Sequence, residues 1–369
     1  MRALAAVLGL LAATAGAAAT APARTSPPPI RHVFVIVLEN ENADATFGPG
    51  SSAPYLAQTL TAQGAFIPEY YGVTHQSLGN YVALVSGQGA NTETQADCPV
   101  YSDLVGAGTG AYGQALGQGC VYPGNVSTVA DQLAARALTW KGYMEDMGND
   151  PARESATCGH PAIGSVDTTQ QAEPQDQYAT RHNPFVYFHS IIDSPSCAAN
   201  DVPLSRLPND LARTNTTANL SVITPNLCHD GHDSPCRNGE PGGLQSADAF
   251  LRTWVPRIVA SPAFQRDGLL LITFDEAEAQ GTGADASACC NEQQFPNTAN
   301  NGGPVVGRGG GRVGAVALSR YIRPGTVTNH AYNHFSTLRT VETLFGLPFL
   351  GYASDPQAGT FGADVFTRR

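Results

Sequence analysis

Three runs of the 369-residue chain are apolar without alternation, and polar residues follow each one: HVFVIVLEN at 32–40, LSVITPN at 220–226 and LLLITFDE at 269–276. A strand that is apolar on both faces must be covered on both faces, which is the condition of a parallel sheet between helical layers. Further strands are predicted at 185–192 (FVYFHSII) and 313–318 (VGAVAL), and a short apolar stretch follows at 140–144. Helices are predicted at 53–60, 127–138, 247–259 and 335–345, with a helix-like run at 81–85. Strands that alternate with helices specify an α/β fold, here a three-layer α/β/α sandwich around a mostly parallel central sheet. Ligands of such folds gather beyond the carboxyl ends of the strands. The segment 277–311 reads as a long loop, and its GRGGGR stretch, Gly307 to Arg312, reads as a flexible lead-in to a strand, because it lacks the G-K-[ST] of a phosphate loop.

Residues 1–23 read as a secretory signal, with Arg2 ahead of an Ala/Leu/Val run and small residues after it. A Pro-rich linker, 24–30, leads into a single catalytic domain, 31–369. No other stretch holds the roughly 18 apolar residues of a membrane-spanning helix. Eight cysteines suit an oxidising compartment, and no C-x-x-C occurs. Local spacing suggests Cys98–Cys120 and Cys158–Cys197, and the adjacent Cys289 and Cys290 are expected to take different partners. The net charge of −11, from 20 basic and 31 acidic residues, argues against nucleic acid as a partner. It also means that an anion site must carry its own positive charge.

Five polar clusters follow or flank these elements. Glu39-Asn40 and Asp275-Glu276 each end a strand and offer hard oxygen ligands for a divalent cation. Ser77 lies three residues ahead of Asn80 at a helix start, where free N–H groups and the helix dipole favour a phosphate. NLCHDGHD, Asn226 to Asp233, packs two His and two Asp into five residues. His330 and His334 stand at the start of the last helix. Each cluster taken singly is equally a cap or a turn; together, beside successive strands, they converge on one sheet edge.

The ordered set V-x-V-x-E-N (35–40), H-x-S-x-x-N-Y-x-x-L-x-S-G (75–87), R-H-N-P-F (181–185), D-x-H-D (230–233), F-D-E (274–276), the Cys289-Cys290 pair and 330–346 resembles the secreted acid phosphatase and phospholipase C family of phosphoesterases, within the alkaline phosphatase superfamily. The resemblance spans His32 to Tyr352 and lies nearest the short acid phosphatases. It implies Ser77 as a nucleophile that is transiently phosphorylated, Asn80 as a donor to the phosphoryl oxygens, and His232 and His334 as further catalytic groups. It implies His75, His182, Asp230 and Asp233 as substrate-binding side chains, and Glu39, Asn40, Asp275 and Glu276 as ligands of one divalent metal, with Ca, Mg or Mn favoured. Gly79 stands where the family often has Pro, which predicts a looser backbone beside the nucleophile. The implied activity is a secreted, metal-assisted phosphomonoesterase on a small phosphomonoester or phosphoinositide. The alternatives are a phospholipase C-type diesterase and a non-catalytic binding protein.

Overall fold

The computed structural model describes residues 27–106 and 108–368, so the signal segment and the start of the linker lie outside the described residues. Eight strands form one sheet, in the order Thr326–Val327, Ala65–Ile67, Ala315–Ser319, Gly268–Phe274, His32–Leu38, Leu220–Thr224, Trp140–Met144, Asp201–Pro203. The His32–Leu38 strand runs parallel to both its neighbours, Gly268–Phe274 and Leu220–Thr224. Only Ala315–Ser319 runs against its neighbours. All seven residues of each of the two central strands, His32–Leu38 and Gly268–Phe274, are buried, as their unbroken apolar pattern requires.

Successive side chains of one strand face opposite layers. Phe34 meets Phe264 on one face, ring centroids 6.3 Å apart, in the layer built from Gly243–Val259 and Pro262–Asp267. Val35 packs with Leu84, Val129 and Leu338 on the other, beneath the helices Ser77–Ser86, Val129–Ala135 and His334–Phe345. The sandwich is therefore three-layered, and the carboxyl ends of the central strands are tied together: Glu39 N–H donates to Asp230 O (2.8 Å) and Asp275 N–H to Leu38 O (2.8 Å).

Three sequence expectations are corrected, and one stretch left unassigned gains an element. Phe185–Ile192 is no strand; it forms a tight turn of helix, Pro184–Tyr187, followed by His189–Ile192. A short buried apolar run has the same composition in either state, and Pro184 sets the helical entry. Trp140–Met144 is instead a full strand of the sheet. Gly307–Arg312 is no loose lead-in: Gly310 N–H donates to Gly72 O (3.0 Å), and a Cβ at Gly310 would stand 2.2 Å from Thr74 O. The glycines let this strand of chain press against the loop that precedes Ser77. Finally, the cysteines pair as Cys98–Cys120, Cys158–Cys197, Cys228–Cys236 and Cys289–Cys290, so the adjacent pair bond each other. The other six meet local partners with Cα atoms 5.1–5.9 Å apart, which leaves these two only one another.

Candidate active site

Ser77 opens the ten-residue helix Ser77–Ser86, and the preceding Gln76 takes a left-handed φ of 68° to turn the chain into it. The Ser77 hydroxyl donates to Glu39 Oε2 at 2.6 Å. Tyr81 lies one helical turn on, on the same face, and its hydroxyl donates to Glu39 Oε1 at 2.7 Å. Asn40 Nδ2 donates to Glu39 Oε2 at 2.9 Å, and the Asn40 backbone N–H reaches Asp275 Oδ1 at 3.1 Å. The carboxyl ends of the strands His32–Leu38 and Gly268–Phe274 thus converge at the nucleophile position.

His182 stacks on Tyr81, ring centroids 5.4 Å apart and 14° between planes. Its Nε2 lies 3.4 Å from Glu39 Oε2 and its Nδ1 3.5 Å from Asp230 Oδ2. Both ring nitrogens are buried without a hydrogen-bond partner, as are Asp230 Oδ2 and Asp275 Oδ2. Burial pushes the Glu39 carboxyl well up, helped by Asp275 and Asp230, and raises Asp275 and Asp230 to about 7. Burial, with the neighbouring Arg181 and His232 charges, drives His182 well below the usual imidazole range. Three buried carboxyls and a neutral imidazole, with orphaned atoms among them, form a buried polar cluster whose charges a hard divalent cation would satisfy. Glu39, the free amide oxygen of Asn40, Asp275, Asp230 and His182 are the residues here that could contribute ligands to such an ion, although no three of the carboxylates and His182 bring ligand atoms within 4.8 Å of one another.

Other residues singled out from the sequence prove to be committed elsewhere. Glu276 Oε2 pairs with His75 Nδ1 (2.6 Å), and His75 Nε2 donates to Asp285 O (2.9 Å). This buried pair anchors Asp285 through its backbone oxygen. Asn80 Oδ1 accepts Val73 N–H (2.8 Å) and Thr74 N–H (3.3 Å), while its Nδ2 donates to Thr74 O (2.9 Å). Its amide therefore shapes the loop ahead of Ser77 and is not free for a phosphoryl oxygen. His334 Nε2 donates to Asp275 O (2.6 Å) and its Nδ1 faces the Tyr70 hydroxyl (3.2 Å). Burial lowers His334 to about 4, so it is neutral, and its one proton rests on a carbonyl. It positions Asp275. His330 is exposed outside the cluster.

His232 differs. Its backbone N–H is held by Asp230 Oδ1 (2.9 Å) and its Nδ1 by Asp233 Oδ1 (2.8 Å), which raises it above the ordinary imidazole value. Its side chain is half exposed, and Nε2 has no partner among the described residues. Asp233 orients it. Gly79 is a packing necessity: a Cβ there would meet Thr74 Cγ2 at 2.5 Å. The expected looseness beside the nucleophile is thus offset by close contact.

Tyr81, Arg181 and Asp97 were given no role from the sequence. Tyr81 was legible as the i+4 neighbour of Ser77; Asp97, which accepts Leu78 N–H at 3.0 Å, carries no sequence signal. Away from the site, His229 bridges Glu145 (3.0 Å) and Glu240 (3.2 Å), but the adjacent Cys228 sulfur is bonded to Cys236 and offers no ligand.

A serine held on a buried carboxylate at a helix start thus lies at the carboxyl ends of a mostly parallel sheet, where ligands of α/β folds gather. Residues 50–348 match the profile of the phosphoesterase family, and the chain belongs to that family. It is 26% identical over 356 residues to a phosphatidylinositol-3-phosphatase of Mycobacterium tuberculosis, covering 95% of this chain and 90% of that one. It is 25% identical over 295 residues to an acid phosphatase of Aspergillus fumigatus, covering 79% of this chain and 51% of that one. The chain thus spans about half the length of that fungal relative. A solved member of the alkaline phosphatase superfamily from Vibrio parahaemolyticus shares the fold, with TM-score 0.51, 12% identity, 91% of this chain and 70% of that one covered. The protein is a hydrolase of phosphoric esters.

Proposed function

We propose that the protein is a secreted, metal-assisted phosphomonoesterase that works through a phosphoserine on Ser77, within one catalytic domain over 31–369. The observation that carries this reading is the 2.6 Å hydrogen bond from Ser77 to Glu39, inside a buried cluster whose other carboxyls hold orphaned oxygens. A divalent ion held by Glu39, Asn40 and Asp275, with Asp230 and His182 in the same cluster, would stabilise the serine alkoxide and draw charge from the phosphoryl oxygens. The chain's own groups do the rest. Glu39, which a bound cation would hold as the carboxylate, receives the Ser77 proton at Oε2 as Oγ attacks phosphorus. The ester P–O bond breaks, and the departing alcohol takes a proton from His232 Nε2. Water then attacks the phosphoserine and gives a proton to His232 Nε2, the P–Oγ bond breaks, Ser77 Oγ takes its proton back from Glu39, and phosphate leaves.

The mycobacterial relative's name supports a phosphoinositide or another small phosphomonoester as substrate. Four disulfides and no free cysteine among the described residues support an oxidising compartment and hence export. The test is Ser77→Ala on p-nitrophenyl phosphate, p-nitrophenyl phosphorylcholine and phosphoinositides, with acid-quench trapping of labelled phosphoserine. Turnover should fall by about 10³-fold or more and the label should vanish. A folded Ser77→Ala protein with near wild-type turnover refutes the reading.

A further inference from the structure

Arg181 sits in the anionic heart of the site and is barely engaged by the protein. Its side chain is 9% exposed. Its guanidinium makes one hydrogen bond among the described residues, from Nη1 to Gln170 O at 3.1 Å. Its Nε stands 3.7 Å from Asp97 Oδ2, a long ion pair. A guanidinium has five N–H donors. Its remaining nitrogens have no hydrogen-bond partner among the described residues.

Arg181 lies close enough to Glu39 and Asp230 for its charge to bear on both, and it precedes His182, whose ring touches the same two carboxyls. The other oxygen of Asp97 accepts the N–H of Leu78, the residue after Ser77. Asp97 therefore ties the guanidinium to the first turn of the Ser77–Ser86 helix, whose dipole also favours an anion.

Resting on the phosphomonoesterase reading above, we propose that Arg181 binds the terminal oxygens of the phosphoryl group and makes the site selective for dianionic phosphomonoesters over monoanionic diesters. The forked donors of a guanidinium match two oxygens of one phosphate, which an ammonium does not. A monoester offers three terminal oxygens and two charges; a diester offers two oxygens and one charge. In a chain of net charge −11 this is the fixed cation that the anion site requires, and unlike His232 it keeps its charge at every working pH.

The experiment compares the wild type with Arg181→Ala and Arg181→Lys, using full-length protein, p-nitrophenyl phosphate, p-nitrophenyl phosphorylcholine and inhibition by inorganic phosphate. For Arg181→Ala, kcat/KM on the monoester should fall on the order of 10²–10³-fold, the cost of deleting one aligned donor group. Phosphate inhibition should weaken by about tenfold or more, the diester should suffer less, and added guanidinium should restore part of the loss. If Arg181→Ala does not fold, Arg181→Lys carries the test, because it keeps the charge and loses the fork; its phosphate inhibition should also weaken. Phosphate affinity within about twofold of wild type in a folded variant, or equal penalties on both esters, overturns the proposal. A wild type inert on every ester would instead refute the underlying reading, and calorimetric binding of inorganic phosphate to wild type and Arg181→Lys would still decide the role of Arg181.

Discussion

Replacing Asn80 separates two roles that the motif alone cannot tell apart. Asn80 is 1% exposed, and Val73 and Thr74, whose N–H groups it accepts, are fully buried. Asn80→Ala orphans both amides, at about 1–3 kcal/mol each, so a loss near 3 kcal/mol is expected once partial relaxation is allowed. A chain of this size should then melt roughly 5 °C lower. Activity should fall as well, because the freed loop carries Gln76 and Ser77, and a misplacement near 1 Å can cost about 10²-fold. Asn80→Asp keeps the acceptor and loses the donor to Thr74 O, so its stability should lie between wild type and Asn80→Ala. The assays are urea and thermal unfolding beside kcat/KM and phosphate inhibition. Wild-type stability in Asn80→Ala, together with weakened phosphate inhibition, would show that Asn80 holds phosphate, and the clamp argument would be refuted.

Gly79→Ala should destabilise by about 1–3 kcal/mol despite the better helix propensity of Ala, since its Cβ would overlap Thr74 Cγ2; an unchanged or raised melting temperature would contradict the packing. Divalent cations should raise the melting temperature of chelated protein, and Asp275→Asn should abolish most of that rise; a variant that responds as fully as wild type would exclude Asp275 from the ion's environment. Burial holds Asp201 at about 7, against an ordinary value near 3.9, so the native state binds the extra proton and loses stability as pH rises through 7. Asp201→Asn should flatten the stability difference between pH 5 and pH 8, and an unaltered pH profile would count against this. Thiol titration of unfolded, unreduced protein should find no free cysteine, and any free thiols would break the four-pair framework.

The residues of the site were legible to different depths for physical reasons. Glu39, Asp275 and Ser77 could be placed from local pattern, because a strand that is apolar on both faces must end at a sheet edge and a helix start must offer its N–H groups. The non-alternating runs likewise determined the parallel core. Composition and short spacing carry no information on which partner a polar atom finds. Asn80, His75, Glu276 and His334 are polar groups of the right type in the right motifs, yet each is satisfied by a backbone or side chain that only folding brings near. The same holds for FVYFHSII, whose burial was legible but whose helical geometry was set by Pro184 and its surroundings. It holds for Cys289 and Cys290, which are left to each other because every other sulfur finds a closer partner. Local sequence decided the elements and their edges; long-range approach, such as Asp97 to Leu78 or Tyr81 to Glu39 across 42 residues, decided which polar atoms stayed free to act on a substrate.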